Sequence, residues 1–269
     1  MEINEVQCKS IITESGLPAS RYSINPYIGC QHGCVYCYAR FMKRYTKHTG
    51  EWGSFVDIKI NAPSVLAKQL DSSTKTFQGT TLIGSVTDAY QPLERKYKIT
   101  RALLEVLLSH QMDISILTKS YNVTRDVDLL SQFKSCSVGV TITSLDDAFR
   151  KHFEPLASSV KQRIDALKVL KQNSIKTYVF IGPIFPGFTD IPRIVEAVRD
   201  YTDSIMAESL NYSCGNWQSI KNVFEKYYPT KLNVFNSLIR NPETWNNTEI
   251  TVREECKKYG IRFDGFFIH

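Results

Sequence analysis

Short β-branched or apolar runs alternate with amphipathic helical runs along most of this chain, and that alternation restricts its fold more than any other feature. The runs Ser23 to Ile28, Thr81 to Val86, Ile114 to Thr118, Ser137 to Thr143, Thr177 to Ile181 and Ser204 to Ala207 are bounded by turn formers, as strands are. Between them, Thr100 to His110 sets Leu103, Leu104, Leu107 and Leu108 at helical spacing. Gln162 to Lys171 does the same with Ile164, Leu167 and Leu170, and Ile191 to Tyr201 with Ile194, Val195 and Val198. Thr189 and Asp190 cap the last of these, with Pro192 in its first turn. Six strand-then-helix units predict an α/β fold with a parallel sheet, arranged as a partial (βα)6 TIM-like barrel. Beyond Leu210, Gln218 to Tyr228 and Glu243 to Lys258 read as helices, and Ile261 to Phe266 as a last short strand that closes or covers the lower half of the barrel. The expectation is a single domain over 1–269, with a core at 20–210 and a C-terminal extension at 211–269.

A chain of 269 residues with 42% hydrophobic and 22% charged content is long enough and apolar enough for one large core, which excludes a disordered tail. Its mean hydropathy is -0.23, no apolar run reaches 18 residues, and no charged-then-apolar signal opens the chain. The expectation is a soluble, cytoplasmic protein without a membrane partner. Lys and Arg number 33 against 27 Asp and Glu, a net charge of +6, which permits an acidic partner such as nucleic acid without requiring one.

The seven cysteines are odd in number and unevenly spaced. Cys30, Cys34 and Cys37 fall within eight residues as C-x3-C-x2-C, while Cys8, Cys136, Cys214 and Cys256 stand alone. A secreted disulfide framework pairs its cysteines, so three clustered thiols in a reducing compartment point to metal or catalysis. They follow directly on the first strand run, where a barrel of this kind gathers its ligands. Three thiolates on one short loop can hold three irons of a cubane cluster and leave the fourth without a protein ligand. The alternative is a structural zinc site completed by His32 or a distant cysteine, but no second cysteine hook accompanies the first.

The stretch Asn25 to Arg40, NPYIGCQHGCVYCYAR, resembles the signature of radical S-adenosylmethionine (SAM) enzymes, with Tyr36 as the aromatic before the last cysteine. It is similar in particular to the branch that contains spore photoproduct lyase and its photolyase-like relatives. Trp52 to Pro63, Gly84 to Glu94, Ile116 to Ser120, Thr124 to Leu130 and Phe153 to Leu170 extend that resemblance over most of residues 20 to 210. The resemblance implies a [4Fe-4S] cluster on Cys30, Cys34 and Cys37, whose open iron is chelated by SAM. It further implies reductive cleavage of SAM to a 5′-deoxyadenosyl radical that abstracts hydrogen from substrate, and a flavodoxin- or ferredoxin-like one-electron donor. Nucleic acid or nucleotide is the first expectation for the substrate, a peptide or small metabolite the second. A non-enzymatic zinc-binding protein is the remote alternative.

With the resemblance in hand, each strand-to-helix junction offers candidates for holding SAM. Ser85, Thr87 and Asp88 follow the second strand, where hydroxyls can accept from the cofactor's ammonium; the same residue types also favour ordinary turns and caps. Lys119 ends a buried apolar strand and needs a partner, for which the resemblance offers the methionine carboxylate. Thr141 and Thr143 share one face of the fourth strand, opposite Val138, Val140 and Ile142, and could reach ribose or carboxylate. Tyr36 and Gly182 are the expected adenine contacts, while Glu154 and Arg163 read as an ion pair. Where spore photoproduct lyase proper has a hydrogen-donating cysteine, this chain has Ser85 or Val86, so that repair route is not expected here. Cys214, after the sixth strand, is the alternative donor. Tyr36, Tyr38, Tyr90, Tyr212 and Trp217 cluster near the expected mouth, where aromatic rings can stack on bases as well as pack.

Overall fold

The computed structural model describes residues 1–18, 20–72 and 77–269. Its strands are β1 (Glu2–Val6), β2 (Ile12–Glu14), β3 (Tyr22–Ile24), β4 (Tyr27–Ile28), β5 (Phe55–Lys59), β6 (Thr81–Ile83), β7 (Ile114–Thr118), β8 (Cys136–Thr141), β9 (Lys176–Ile184), β10 (Ser204–Ser209) and β11 (Arg262–Phe267). The main sheet runs in the order β11-β10-β9-β8-β7-β6-β3-β2. Every pair from β3 to β11 is parallel, and β2 is the antiparallel edge. All six expected strands are present, and the helices Ile99–Ser109, Val160–Gln172 and Ile191–Val198 fall where the periodicity puts them.

Period-two alternation sorts each strand between two faces. On β7, Ile114 and Ile116 are buried in the core while Ser115 and Leu117 line a cavity; on β8, Val138 and Val140 pack in the core while Ser137 and Thr141 line that same cavity. Residues from β6 through β11 share it, so the sheet is curved around it in the manner of an open barrel. The helix Val160–Gln172 covers β8 and β9 from the opposite face, and its start is fixed by a capping box between Ser159 and Gln162.

Several boundaries differ from the sequence reading. The first strand run breaks at Asn25-Pro26, and its second half, β4, joins β1 and β5 in a separate three-stranded sheet. Proline has no N–H to give a ladder, which makes it a natural exit point. The second run stops at Ile83 because Gly84 turns at φ +91°. The last strand, β11, lies in parallel beside β10 at the edge of the sheet, and from it Arg262, Asp264, Phe266 and Phe267 line the cavity. The sequence reading also passed over β1, β5 and the helices Ala62–Asp71 and Leu232–Arg240. Among the described residues, no helix is long and apolar enough to cross a membrane.

Candidate active site

The cysteine loop leaves β4 at Gly29, whose φ of +87° brings it against the Phe55 carbonyl, where a Cβ would collide. From there the loop is tied down by groups from distant elements. Thr87 Oγ1 donates to the Gly29 carbonyl at 2.6 Å, and Gln31 N donates to the buried Gln91 side chain at 2.8 Å. Val35 N reaches the Phe153 carbonyl at 2.9 Å, and the buried Asn216 amide donates to the Tyr36 carbonyl at 2.7 Å. Arg40 donates to the Val35 and Cys37 carbonyls at 2.8 and 3.2 Å. His32, between the first two cysteines, is buried with its Nδ1 3.3 Å from Asp88. Asp88 also accepts from Thr118 Oγ1 at 2.7 Å, Lys119 N at 2.8 Å and Tyr90 N at 2.8 Å. Burial would push the Asp88 carboxyl up, but His32 and these donors hold it well below the ordinary range.

Cys30 and Cys34 are buried and Cys37 is half-buried; all seven cysteines are free thiols. Burial pushes the Cys30 thiol up to about 12 and raises Cys34 and Cys37 as well. Thiolates in such a setting require a bound cation, which is what a metal supplies. Among the described residues, no three His, Cys, Asp or Glu side chains converge closely enough for a single ion. In a cubane each of the three thiols serves a different iron, so the cluster needs no three donors on one ion.

Beside the loop lies a cavity of about 850 Å³. Cys34, Tyr36 and Cys37 line it from the loop, and Ser85, Lys119, Thr141 and Gly182 line it from the strand ends. Leu117, Phe180 and Met206 supply apolar wall. The Lys119 ammonium sits 5.8 Å from the centre of the Tyr36 ring. Burial would lower its pKa, but Cys34 and Glu154 more than offset this and hold it raised. Thr141 Oγ1 is buried without a hydrogen-bond partner. Ser85 Oγ accepts from Asn25 at 2.9 Å. A Cβ on Gly182 would stand 2.6 Å from the Phe180 ring and 2.7 Å from Glu208, so glycine is what lets both side chains pass.

Behind the cavity, Glu154 and Arg163 form the expected ion pair, both essentially inaccessible. Glu154 also accepts from the Tyr36 hydroxyl and from Thr143 Oγ1, the latter at 3.0 Å, while Arg163 donates to the Thr141 and Ser158 carbonyls, each at 3.0 Å. Burial alone would raise the Glu154 carboxyl; Arg163, helped by Lys119, holds it down to about 2.

Eight of the residues singled out from sequence thus meet in one cavity, Tyr38 among them, and Cys30 stands in the same loop; Tyr90, Tyr212 and Trp217 do not line it. Thr87, Asp88 and Thr143 do not line it. Their polar atoms are spent on the Gly29 carbonyl, on His32 with Thr118 and Lys119, and on Glu154 with the Gly182 carbonyl, so they position the site's walls. Cys214 does not line the cavity either: its thiol donates to the Asn211 carbonyl at 3.4 Å, and burial raises its pKa. Sequence reasoning passed over Gln91 and Asn216, for which it carried no signal, and Glu208. Glu208 follows Ser204 and Met206 on the lumen face of β10, so extending the period-two pattern by one step would have found it.

Residues 24–198 match the radical SAM superfamily. The chain belongs to that superfamily. It is an enzyme, which removes the non-enzymatic zinc-binding alternative, and its family implies SAM and an iron–sulfur cluster as cofactors. It is 36% identical over 269 residues to an uncharacterized protein of Methanocaldococcus jannaschii, covering 100% of this chain and 98% of that one. A radical SAM Nalpha-GlyT isomerase of Pseudomonas phage M6 is 22% identical over 79% of this chain, which spans only 44% of that protein. Among solved structures, spore photoproduct lyase matches with a TM-score of 0.71 at 16% identity, over 99% of this chain and 81% of the other. The same lyase complexed with dinucleoside spore photoproduct gives a TM-score of 0.70 at 15% identity, over the same shares of each chain. At that identity the radical SAM enzyme and the lyase share a fold.

Proposed function

We propose that this radical SAM enzyme carries a [4Fe-4S] cluster on Cys30, Cys34 and Cys37, binds SAM in the adjoining cavity, and modifies a nucleic acid or nucleotide. The observation that carries the reading is the meeting of the cysteine loop with Lys119, Ser85, Thr141 and Gly182 around one cavity at the strand ends. When bound, the cofactors supply one electron for the cleavage of SAM to methionine and a 5′-deoxyadenosyl radical, the species that takes hydrogen from substrate.

The residues' own part is binding and exclusion of water. Lys119, cationic and half-buried in the cavity wall, offers charge to the methionine carboxylate; an ammonium partly withdrawn from water gains from an anion, so the cavity favours an acidic ligand group there. The orphaned Thr141 hydroxyl needs a partner, which a ribose or carboxylate oxygen provides. Tyr36, whose hydroxyl is tied to Glu154, presents its ring to the cavity, and Gly182 lines the same cavity where adenine is expected. Leu117, Phe180 and Met206 keep the reacting centre dry. Cys214 is given no part in returning hydrogen to substrate, since its thiol lies off the cavity.

The fold shared with spore photoproduct lyase, solved in complex with a dinucleoside spore photoproduct, supports the nucleic-acid reading of the substrate, and the net charge of +6 permits it. A flavodoxin- or ferredoxin-like protein is the electron source, and the cytoplasm, where thiols stay reduced and none of the seven cysteines needs a disulfide partner, is the compartment. Residues 1–269 are read as one radical SAM domain whose extension after 210 completes the sheet edge. Anaerobic reconstitution, then dithionite and SAM, tests the chemistry: 5′-deoxyadenosine forms with the wild type and is lost in Cys34→Ala. Oligonucleotide binding across a salt series tests the substrate, since phosphate contacts demand a steep dependence. Flat or absent binding moves the substrate to a peptide or small metabolite.

A further inference from the structure

The stretch Trp52 to Pro63 stands out in the sequence, yet none of its residues lines the cavity. Its first residues press instead on the cysteine loop. The Phe55 carbonyl closes on Gly29, and Gly53, at φ +93°, lies so near the loop that a Cβ on it would stand 2.8 Å from the Gly33 Cα. Gly29 and Gly33 directly precede Cys30 and Cys34, so this segment fixes the backbone that enters both cysteines. The Trp52 ring is held in turn by Phe55, which it meets edge-on with centroids 5.9 Å apart and an interplanar angle of 89°. His48 stacks on Phe55 at 4.0 Å, and its two ring nitrogens lie 3.1 Å from Glu2 and 2.8 Å from Asp57. Trp52 Nε1, by contrast, is buried with no hydrogen-bond partner among the described residues. An indole nitrogen can only donate, and a buried donor needs an acceptor. What it faces is the Cys37 sulfur, whose thiolate form it favours. A neutral thiol accepts weakly and leaves the N–H unsatisfied, whereas an anionic thiolate accepts strongly.

We propose that Trp52 is a positioning residue for the cluster: its indole N–H donates to the Cys37 sulfur and, by favouring negative charge there, raises the reduction potential of the cluster. The inference rests on the cluster reading above. Hydrogen bonds to the cysteine sulfurs are among the factors that set the potential of an iron–sulfur cluster, alongside its net charge and its exposure to solvent. When the cluster takes up one electron from its reductant, no bond forms or breaks. The added negative charge spreads onto the sulfurs, so a donor held against one of them stabilises the reduced form more than the oxidised form. Cys37 lines the cavity and Trp52 does not, so the indole meets the sulfur from the protein side and leaves the cavity free for ligand.

The test is a redox titration of the reconstituted protein, followed by electron paramagnetic resonance, of wild type against Trp52→Phe. Phenylalanine keeps a ring against Phe55 and removes the N–H. At a fixed potential the ratio of reduced to oxidised cluster falls about tenfold in the variant, a shift of about 59 mV to more negative potential for one electron. A second measurement does not depend on the variant's folding. Wild-type protein whose tryptophans carry isotopically labelled indole nitrogen shows a hyperfine coupling of that nitrogen in the signal of the reduced cluster, and Trp52→Phe, where it folds, loses the coupling. Equal potentials in wild type and variant overturn the proposal while leaving the cluster reading intact, and so does a wild-type signal without the nitrogen coupling. Wild-type protein that takes up no cluster overturns both readings.

Discussion

His32 and Asp88 approach to 3.3 Å, and through that contact a side chain between two cluster cysteines is held by the strand-to-helix junction that follows β6. Asp88 bridges onward to Thr118 and the Lys119 amide at the end of β7, so one carboxylate joins the cysteine loop to two barrel junctions. Asp88→Asn removes the charge opposite His32 and one acceptor. The expected result is a lower iron content after reconstitution and a stability loss of about 1–3 kcal/mol. Iron analysis beside thermal unfolding checks this; a full complement of iron in the variant would show that the loop needs no such tie.

Two threonines two residues apart make a sharper contrast. Thr143 Oγ1 bonds both Glu154, at 3.0 Å, and the Gly182 carbonyl, at 2.9 Å, whereas Thr141 Oγ1 has no partner. Thr143→Val therefore destabilises by about 1–3 kcal/mol by stranding buried polar groups, and Thr141→Val changes stability by less than about 0.5 kcal/mol. SAM affinity of the reconstituted protein reverses the order, falling with Thr141→Val. Equal stability losses in the two variants would contradict this division of labour.

Lys119→Met keeps the length of the side chain and removes its charge. SAM binding to the cluster-loaded protein weakens by about 10- to 100-fold, the worth of a hydrogen bond to a charged group, as calorimetry reads it. Unchanged affinity would put the methionine carboxylate elsewhere.

Acid stability reports on Glu154. Its folded carboxyl is held down to about 2 against an ordinary 4.5. A depressed carboxylate contributes stability that is present above its unfolded pKa and lost as pH falls through the folded one. Wild-type stability therefore drops between pH 4.5 and about 2. Glu154→Gln is less stable at neutral pH, since Arg163 is left buried without its partner, by about 3–5 kcal/mol. It also has a flatter profile across that window, and urea titrations of both proteins that run parallel there would argue against the assignment.

Gly182→Ala places a methyl group 2.6 Å from the Phe180 ring and 2.7 Å from Glu208. Both line the cavity, so relief of the clash moves cavity wall. An overpacking cost of about 1–3 kcal/mol and weaker SAM binding are expected; a variant with wild-type melting and affinity would show that the wall yields freely.

Much of the fold is legible along the chain because its signals are local. Period-two alternation on Ile114 to Thr118 and helical spacing on Gln162 to Lys171 arise within single elements, and each forms where expected. The strand broken at Pro26 and the overlooked Phe55–Lys59 are failures of another kind. β5 owes its place to pairing with Glu2–Val6, more than fifty residues away, which no local window records.

By itself the sequence determined the parallel α/β order, the cysteine loop and the radical SAM family, since spacing and alternation are properties of the chain. Tertiary structure decided which polar residues are free. Thr141 and Thr143 alternate alike in sequence, yet Thr141 ends β8 facing the cavity, whereas Thr143 lies past the strand's end and meets Glu154 and a carbonyl from the next strand. Asp88 looks like a ligand until His32, Thr118 and the Lys119 amide are seen to fill its acceptors. Hydrogen-bond satisfaction is settled by neighbours brought from far along the chain, so the distinction between a group that holds the site and a group that can hold a ligand exists only once the chain has folded.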